Sequence, residues 1–236
     1  MFRSLLMMSA LFAGCADVPD DPLSADAPVD AGSDLRGTPA IYYTLAVDTR
    51  KCASPLCGGY FVTELNHATM TCADGTTASS CYIAYVDGSK LGFIPADKAA
   101  FDAALSDDWA LVRGRLTLEP VSGYTLGVLS ASEAWEGLTG MNPGGSFVRV
   151  NENGMLCLTT PCTHYDESAL NGHRSTLIAE LDFKPSAADP TQIREAIDAT
   201  LSTDGLLVAG KRYPVTGPGG TSPARDVTEA YVRIGY

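Results

Sequence analysis

The chain has 236 residues, of which 45% are hydrophobic and 19% charged. That length allows one large domain or two small ones, and the composition excludes a wholly disordered chain. With 28 Asp+Glu against 16 Lys+Arg and a net charge of -12, it offers no electrostatic footprint for phosphate backbones, which argues against nucleic acid as a partner.

Arg3, an apolar run from Leu5 to Ala13 and small residues at the exit make residues 1–14 a signal peptide. The run is too short to span a bilayer as a helix. Leu11-Phe12-Ala13-Gly14-Cys15 resembles a bacterial lipobox. In that motif the chain is cut before the cysteine, and the thiol carries lipid. The resemblance implies lipidation of Cys15 and a membrane as partner through that lipid. It also accounts for an odd total of seven cysteines. Ala16, not Asp, follows Cys15, which favours the outer membrane over the inner.

Residues 15–39 form a tether. Residues 16–39 hold six Asp, one Arg and four Pro, with almost no large apolar side chain. Such a segment buries too little surface to offset its chain entropy, and its charges and prolines extend it.

Strands follow at Ile41–Asp48, Tyr60–Leu65 and Tyr82–Val86, rich in β-branched and aromatic residues. Pro95 opens a helix, with Ala100, Phe101, Ala104 and Leu105 at helical spacing. Leu111–Leu118 and Tyr124–Trp135 read as strands. Past the Gly-rich stretch 140–145, strands recur at Ser146–Asn151, His164–Leu170 and Thr176–Phe183. Asp189-Pro190-Thr191-Gln192 offers an N-cap, a proline at the first helical position and a Gln that closes a capping box. Ile193, Ala196, Ile197 and Leu201 continue that helix. Leu206–Tyr213 and Val227–Ile234 end the chain as strands, with 217–223 as a hairpin loop between them.

Short motifs recur along this order. Cys52 to Cys57 and Cys157 to Cys162 are both C-x4-C, and Asn66 and Asn171 stand equally far beyond them. Between 101–135 and 197–231, 12 of 35 ungapped pairs are identical. The expectation is an α+β fold, mostly antiparallel, made of two tandem copies of a β-β-β-α-β-β unit with pseudo-twofold symmetry. The copies span residues 40–139 and 146–236.

Export places the remaining six cysteines in an oxidising compartment. Six cysteines allow fifteen connectivities. Equivalent positions and the placement of Cys72 and Cys81 in an insertion predict Cys52–Cys57, Cys72–Cys81 and Cys157–Cys162. Four thiolates with His164 would also suit zinc, but the spacing is not that of a zinc site. No metal or other cofactor is expected.

None of the three histidines, His67, His164 and His173, sits in a recognised metal spacing. No nucleophile elbow, P-loop or dinucleotide fingerprint occurs. Glu133 and Glu229, each beside an aromatic residue, are candidates for paired acid–base chemistry. His164, Tyr165 and Asp166 form the most polar cluster near a cysteine loop and are candidate ligand contacts. Without a catalytic set, the reading is a non-enzymatic binding or structural module of the cell envelope. The alternative is a protease inhibitor or protein-binding module using rigid disulfide loops; an envelope hydrolase ranks below both. An envelope protein is the expected partner.

C-x-x-P-x-C-G-G-Y-F at 52–61 and N-G-x-x-C-x-x-x-P-C at 153–162, with the closing strand, resemble an uncharacterised family of exported bacterial lipoproteins, a domain of unknown function. The resemblance covers about residues 41–236 and implies export and paired cysteines, with no activity or catalytic residue.

Overall fold

Strand chemistry dominates the body of the chain. In a computed structural model, which describes residues 39–235, sixteen strands and two α-helices succeed one another. The order is β1 (Ile41–Val47), β2 (Tyr60–Glu64), β3 (Met70–Thr71), β4 (Thr77–Ala78), β5 (Cys81–Ile83), β6 (Tyr85–Asp87), α1 (Pro95–Ser106), β7 (Ala110–Val121) and β8 (Tyr124–Gly137). Then come β9 (Ser146–Glu152), β10 (Tyr165–Ala169), β11 (Ser175–Ile178), β12 (Leu181–Asp182), α2 (Pro190–Thr200), β13 (Leu206–Gly210), β14 (Arg212–Gly217), β15 (Gly220–Asp226) and β16 (Glu229–Arg233). The signal peptide, Cys15 and all of the tether but its last residue lie outside the described residues.

One 11-stranded sheet runs in the order β11-β10-β9-β13-β16-β8-β7-β1-β2-β5, with β6 added alongside β8. It curls into a half-barrel. The curl brings β1 and β9 together although four strands separate them in the sheet order. Two asparagine side chains make the join. Asn171 accepts from the Tyr42 amide at 2.8 Å and donates to the Tyr42 carbonyl at 2.8 Å. Asn66 does the same to Phe147, at 2.8 Å in both directions. A carboxamide carries the donor and acceptor of a peptide unit, so each asparagine stands in for a missing strand neighbour. Both sit at positive φ (64° for Asn66, 55° for Asn171), a region that Asn tolerates better than most residues.

The sheet separates three apolar clusters. On one side α1 buries Phe101, Ala104 and Leu105 against Leu45, Val62, Val112 and Leu129. Beside it α2 lays Ile193, Ala196 and Ile197 on Val148, Val150 and Val208. The third cluster joins Tyr42, Leu65, Leu111, Trp135, Leu170, Leu207 and Tyr231, residues from both ends of the sheet order, and lines the inside of the curl. Each of these large side chains contributes on the order of 1.5–3 kcal/mol by leaving water. α2 starts as its sequence predicts: the Asp189 carboxylate accepts from the amides of Thr191 and Gln192, and Gln192 returns a bond to the Asp189 amide.

The architecture corrects the expected α+β class and its two tandem β-β-β-α-β-β copies. The protein is mainly β, with 45% of the described residues in strands and 13% in helices. Its halves are not built alike. β7 and β8 run unbroken for 12 and 14 residues within the main sheet. The matching stretch of the second half breaks at Gly210. There β14 and β15 leave to form a three-stranded sheet with β12. At the break a Cβ on Gly210 would lie 1.7 Å from the Asp226 carbonyl oxygen, so only glycine fits where the chain leaves the main sheet. The β3–β4 hairpin forms a sheet of its own. Matches over short segments reported local motifs, and sheet membership is decided by distant partners.

Candidate functional site

The cysteines form three bridges, Cys52–Cys57, Cys72–Cys81 and Cys157–Cys162, with Cα atoms 5.7, 5.5 and 5.6 Å apart. The first and third close short loops, each with a cis proline, Pro55 and Pro161. These two loops differ in what covers them. In the first, the Asp48 carboxylate gathers Arg50 and the Gly58 amide. The Arg50 guanidinium holds that carboxyl below its usual range and lies 4.9 and 5.0 Å from the Phe61 and Tyr82 ring centroids. Arg50 also donates to the Leu56 carbonyl, so the loop is folded onto the sheet edge.

The second loop projects. From Asn153 to Thr163 it carries no charged residue, and Leu156 and Leu158 are 97% and 105% exposed, with Met155 half exposed beside them. Its base is held firmly. Asn153 donates to the Thr163 carbonyl at 3.1 Å and to Asp166 at 3.2 Å. The Gly219 amide, in the β14–β15 turn, donates to the Thr160 carbonyl at 2.8 Å. His164 packs on the Tyr165 ring at 4.1 Å and sits 2.8 Å from the Cys162 carbonyl. The predicted ligand contacts His164, Tyr165 and Asp166 therefore come together as a brace under the loop.

Glu133 and Glu229 stand in unlike settings. Glu229 is buried and accepts from the amides of Thr139, Met141 and Ala230 and from the Thr139 hydroxyl. It fixes the turn after β8, and its oxygens are fully used. Glu133 lies instead at the mouth of the curl. Tyr42 faces Arg113, Arg113 faces Glu133, and Trp135 faces Arg233 across adjacent strands. The Glu133 carboxylate accepts from the Tyr42 hydroxyl at 2.8 Å and from the Arg113 guanidinium at 2.7 Å. Arg149 and Arg233 approach the same carboxylate at 3.5 and 3.4 Å. Arg149 also donates to the Tyr42 hydroxyl, and Arg233 lies 3.6 Å from Asp204.

The electrostatics follow from that crowding. Burial raises the Glu133 carboxyl, but hydrogen bonds from Arg113 and Tyr42 and the Arg113 and Arg233 charges outweigh it, leaving it below its usual range. Burial pushes the Tyr42 hydroxyl up to about 12 against the pull of Arg149, with Glu133 adding to the rise. Tyr42 thus remains a donor and Glu133 an anion at neutral pH. Sequence reading singles out Glu133 but not Tyr42, Arg113, Arg149 or Arg233. The available signal was alternation: Leu111/Arg113, Phe147/Arg149 and Tyr231/Arg233 each place an arginine two residues beyond a large apolar side chain, hence on one face of a strand.

No curated protein and no solved structure matches the chain. A family model does, over residues 41–235. The chain accordingly belongs to the family described as Domain of unknown function (DUF6748).

Proposed function

We propose that this is an exported, non-enzymatic binding domain of the cell envelope that docks a partner protein through the stapled loop 153–163. The observation that carries the reading is the full exposure of Leu156 and Leu158 on a loop closed by Cys157–Cys162 and braced from below. Apolar side chains held out on a rigid loop enter a partner's pocket with little loss of chain entropy, and their burial contributes about 1.5–3 kcal/mol each. Three disulfides fit an oxidising compartment. The lipobox-like run ending at Cys15 supports a lipid anchor, with the outer membrane favoured, and the acidic tether supplies reach.

Metabolic labelling with a palmitate analogue tests the anchor: wild type should carry label and Cys15→Ser none, while equal labelling of both removes it. Docking is tested by cross-linking from position 158 in living cells, where Leu156→Asp should abolish the product.

A further inference from the structure

Away from the stapled loop, the mouth of the curl holds an arrangement that Glu133 alone does not use up. Three guanidiniums, Arg113, Arg149 and Arg233, meet two carboxylates, Glu133 and Asp204. One positive charge is left over in a chain whose net charge is -12. The three side chains are 39%, 28% and 23% exposed, so solvent reaches all of them. They bring roughly fifteen N–H donors. Among the described residues three hydrogen bonds from these groups form, to the Ala40 carbonyl, Glu133 and Tyr42.

Arg149 spends one donor on the Tyr42 hydroxyl, and Arg233 forms no side-chain hydrogen bond among the described residues. Their contacts with Glu133, at 3.5 and 3.4 Å, lie beyond the usual 2.7–3.2 Å of a formed hydrogen bond. Both guanidiniums stack near the same indole, 5.7 and 5.5 Å from the Trp135 ring. Trp135 is fully buried, and neither its indole N–H nor the buried Nε of Arg233 has a partner among the described residues. Buried donors normally find one. Two like-charged forks that converge on one Glu133 oxygen beside a fixed ring, with donors unspent, form a preorganised anion cradle.

We infer that Arg149 and Arg233, stacked on Trp135 at the mouth of the curl, recognise the carboxylate group of a monoanionic ligand. Arg113 and Tyr42 are positioning residues that hold Glu133 aside. The class follows from charge and shape. Both guanidiniums already turn toward a carboxylate, the Glu133 oxygen at 3.5 and 3.4 Å, without closing a hydrogen bond to it, so a planar two-oxygen group suits them. A single negative charge balances the one in excess, whereas a phosphate dianion would crowd Glu133 with like charge. The carboxylate is either that of a small free acid or a peptide chain end, and the probes separate these sources. The inference does not depend on docking through the stapled loop.

The test is an NMR titration of the purified protein at constant ionic strength, following the Trp135 indole and arginine Nε–H signals. The probes are acetate, N-acetyl-dialanine, its C-terminal amide and inorganic phosphate. Saturable shifts with acetate and the free-acid peptide are expected, with none from the amide. A tighter peptide identifies a chain end; equal affinities identify a small acid. Arg149→Gln and Arg233→Gln should each weaken binding at least roughly tenfold, the loss of one charge-assisted bond. Equal shifts from acid and amide, no saturation below roughly 10 mM, or tighter binding of phosphate would overturn the inference. The wild-type comparison of acid with amide stands even if an arginine variant does not fold.

Discussion

Glu167 shows most sharply what one residue decides. It is fully buried on β10, takes bonds from Arg225 at 2.5 and 2.8 Å and from Arg212 at 2.7 Å, and Arg225 is itself buried. This is how the β12-β15-β14 sheet is fastened to the main one. Burial raises the Glu167 carboxyl, but Arg225 and Arg212 outweigh it and the net shift is downward from 4.5. A folded value below the unfolded one means the pair's stabilisation is complete above about pH 4.5 and is lost as pH falls through the lower folded value. Glu167→Gln should cost about 3–5 kcal/mol at neutral pH, because it leaves Arg225 buried without a counter-charge. The variant should also show a flatter loss of stability in acid than wild type. Denaturant midpoints between pH 3 and 7 check both, and a neutral-pH change under about 1 kcal/mol would contradict the assignment.

At the scale of elements, closure of the curl rests on Asn66 and Asn171. Asn66→Ala would strip the Phe147 amide and the Leu170 carbonyl of their Asn66 partner and leave the Phe147 carbonyl only the Leu170 amide, at about 1–3 kcal/mol. Hydrogen exchange at the Phe147 amide should speed up markedly while that of Val112, inside β7, stays slow. Unchanged protection at Phe147 would mean the seam is held by something else. This seam was not legible in the sequence. The asparagines stand out there only by their matching distance from the cysteine loops, because nothing local marks a side chain that replaces a strand neighbour. The cap of α2 was legible, since Asp189, Pro190 and Gln192 act within one turn. Strands rich in β-branched and aromatic residues, such as β1 and β9, were legible too. The departure of β14 and β15 was not, since it depends on how closely Asp226 passes Gly210. The mouth was half legible: Glu133 stood out, but its arginines come from β7, β9 and β16, and only the curl brings them together.

At the scale of the whole molecule, the two regions proposed to meet ligands divide by chemistry. The mouth is polar and preorganised for one small charged group. The loop 153–163 is neutral, apolar at its tip and stapled at its base. A projecting loop suits contact with another macromolecule. The direct measurement replaces Leu158 with a photo-reactive residue and irradiates living cells, with Lys98, exposed on α1, as the control position. The account predicts one discrete protein adduct from position 158, lost when Leu156→Asp is added, and none from position 98. No protein adduct from position 158, or the same adducts from both positions, would contradict it.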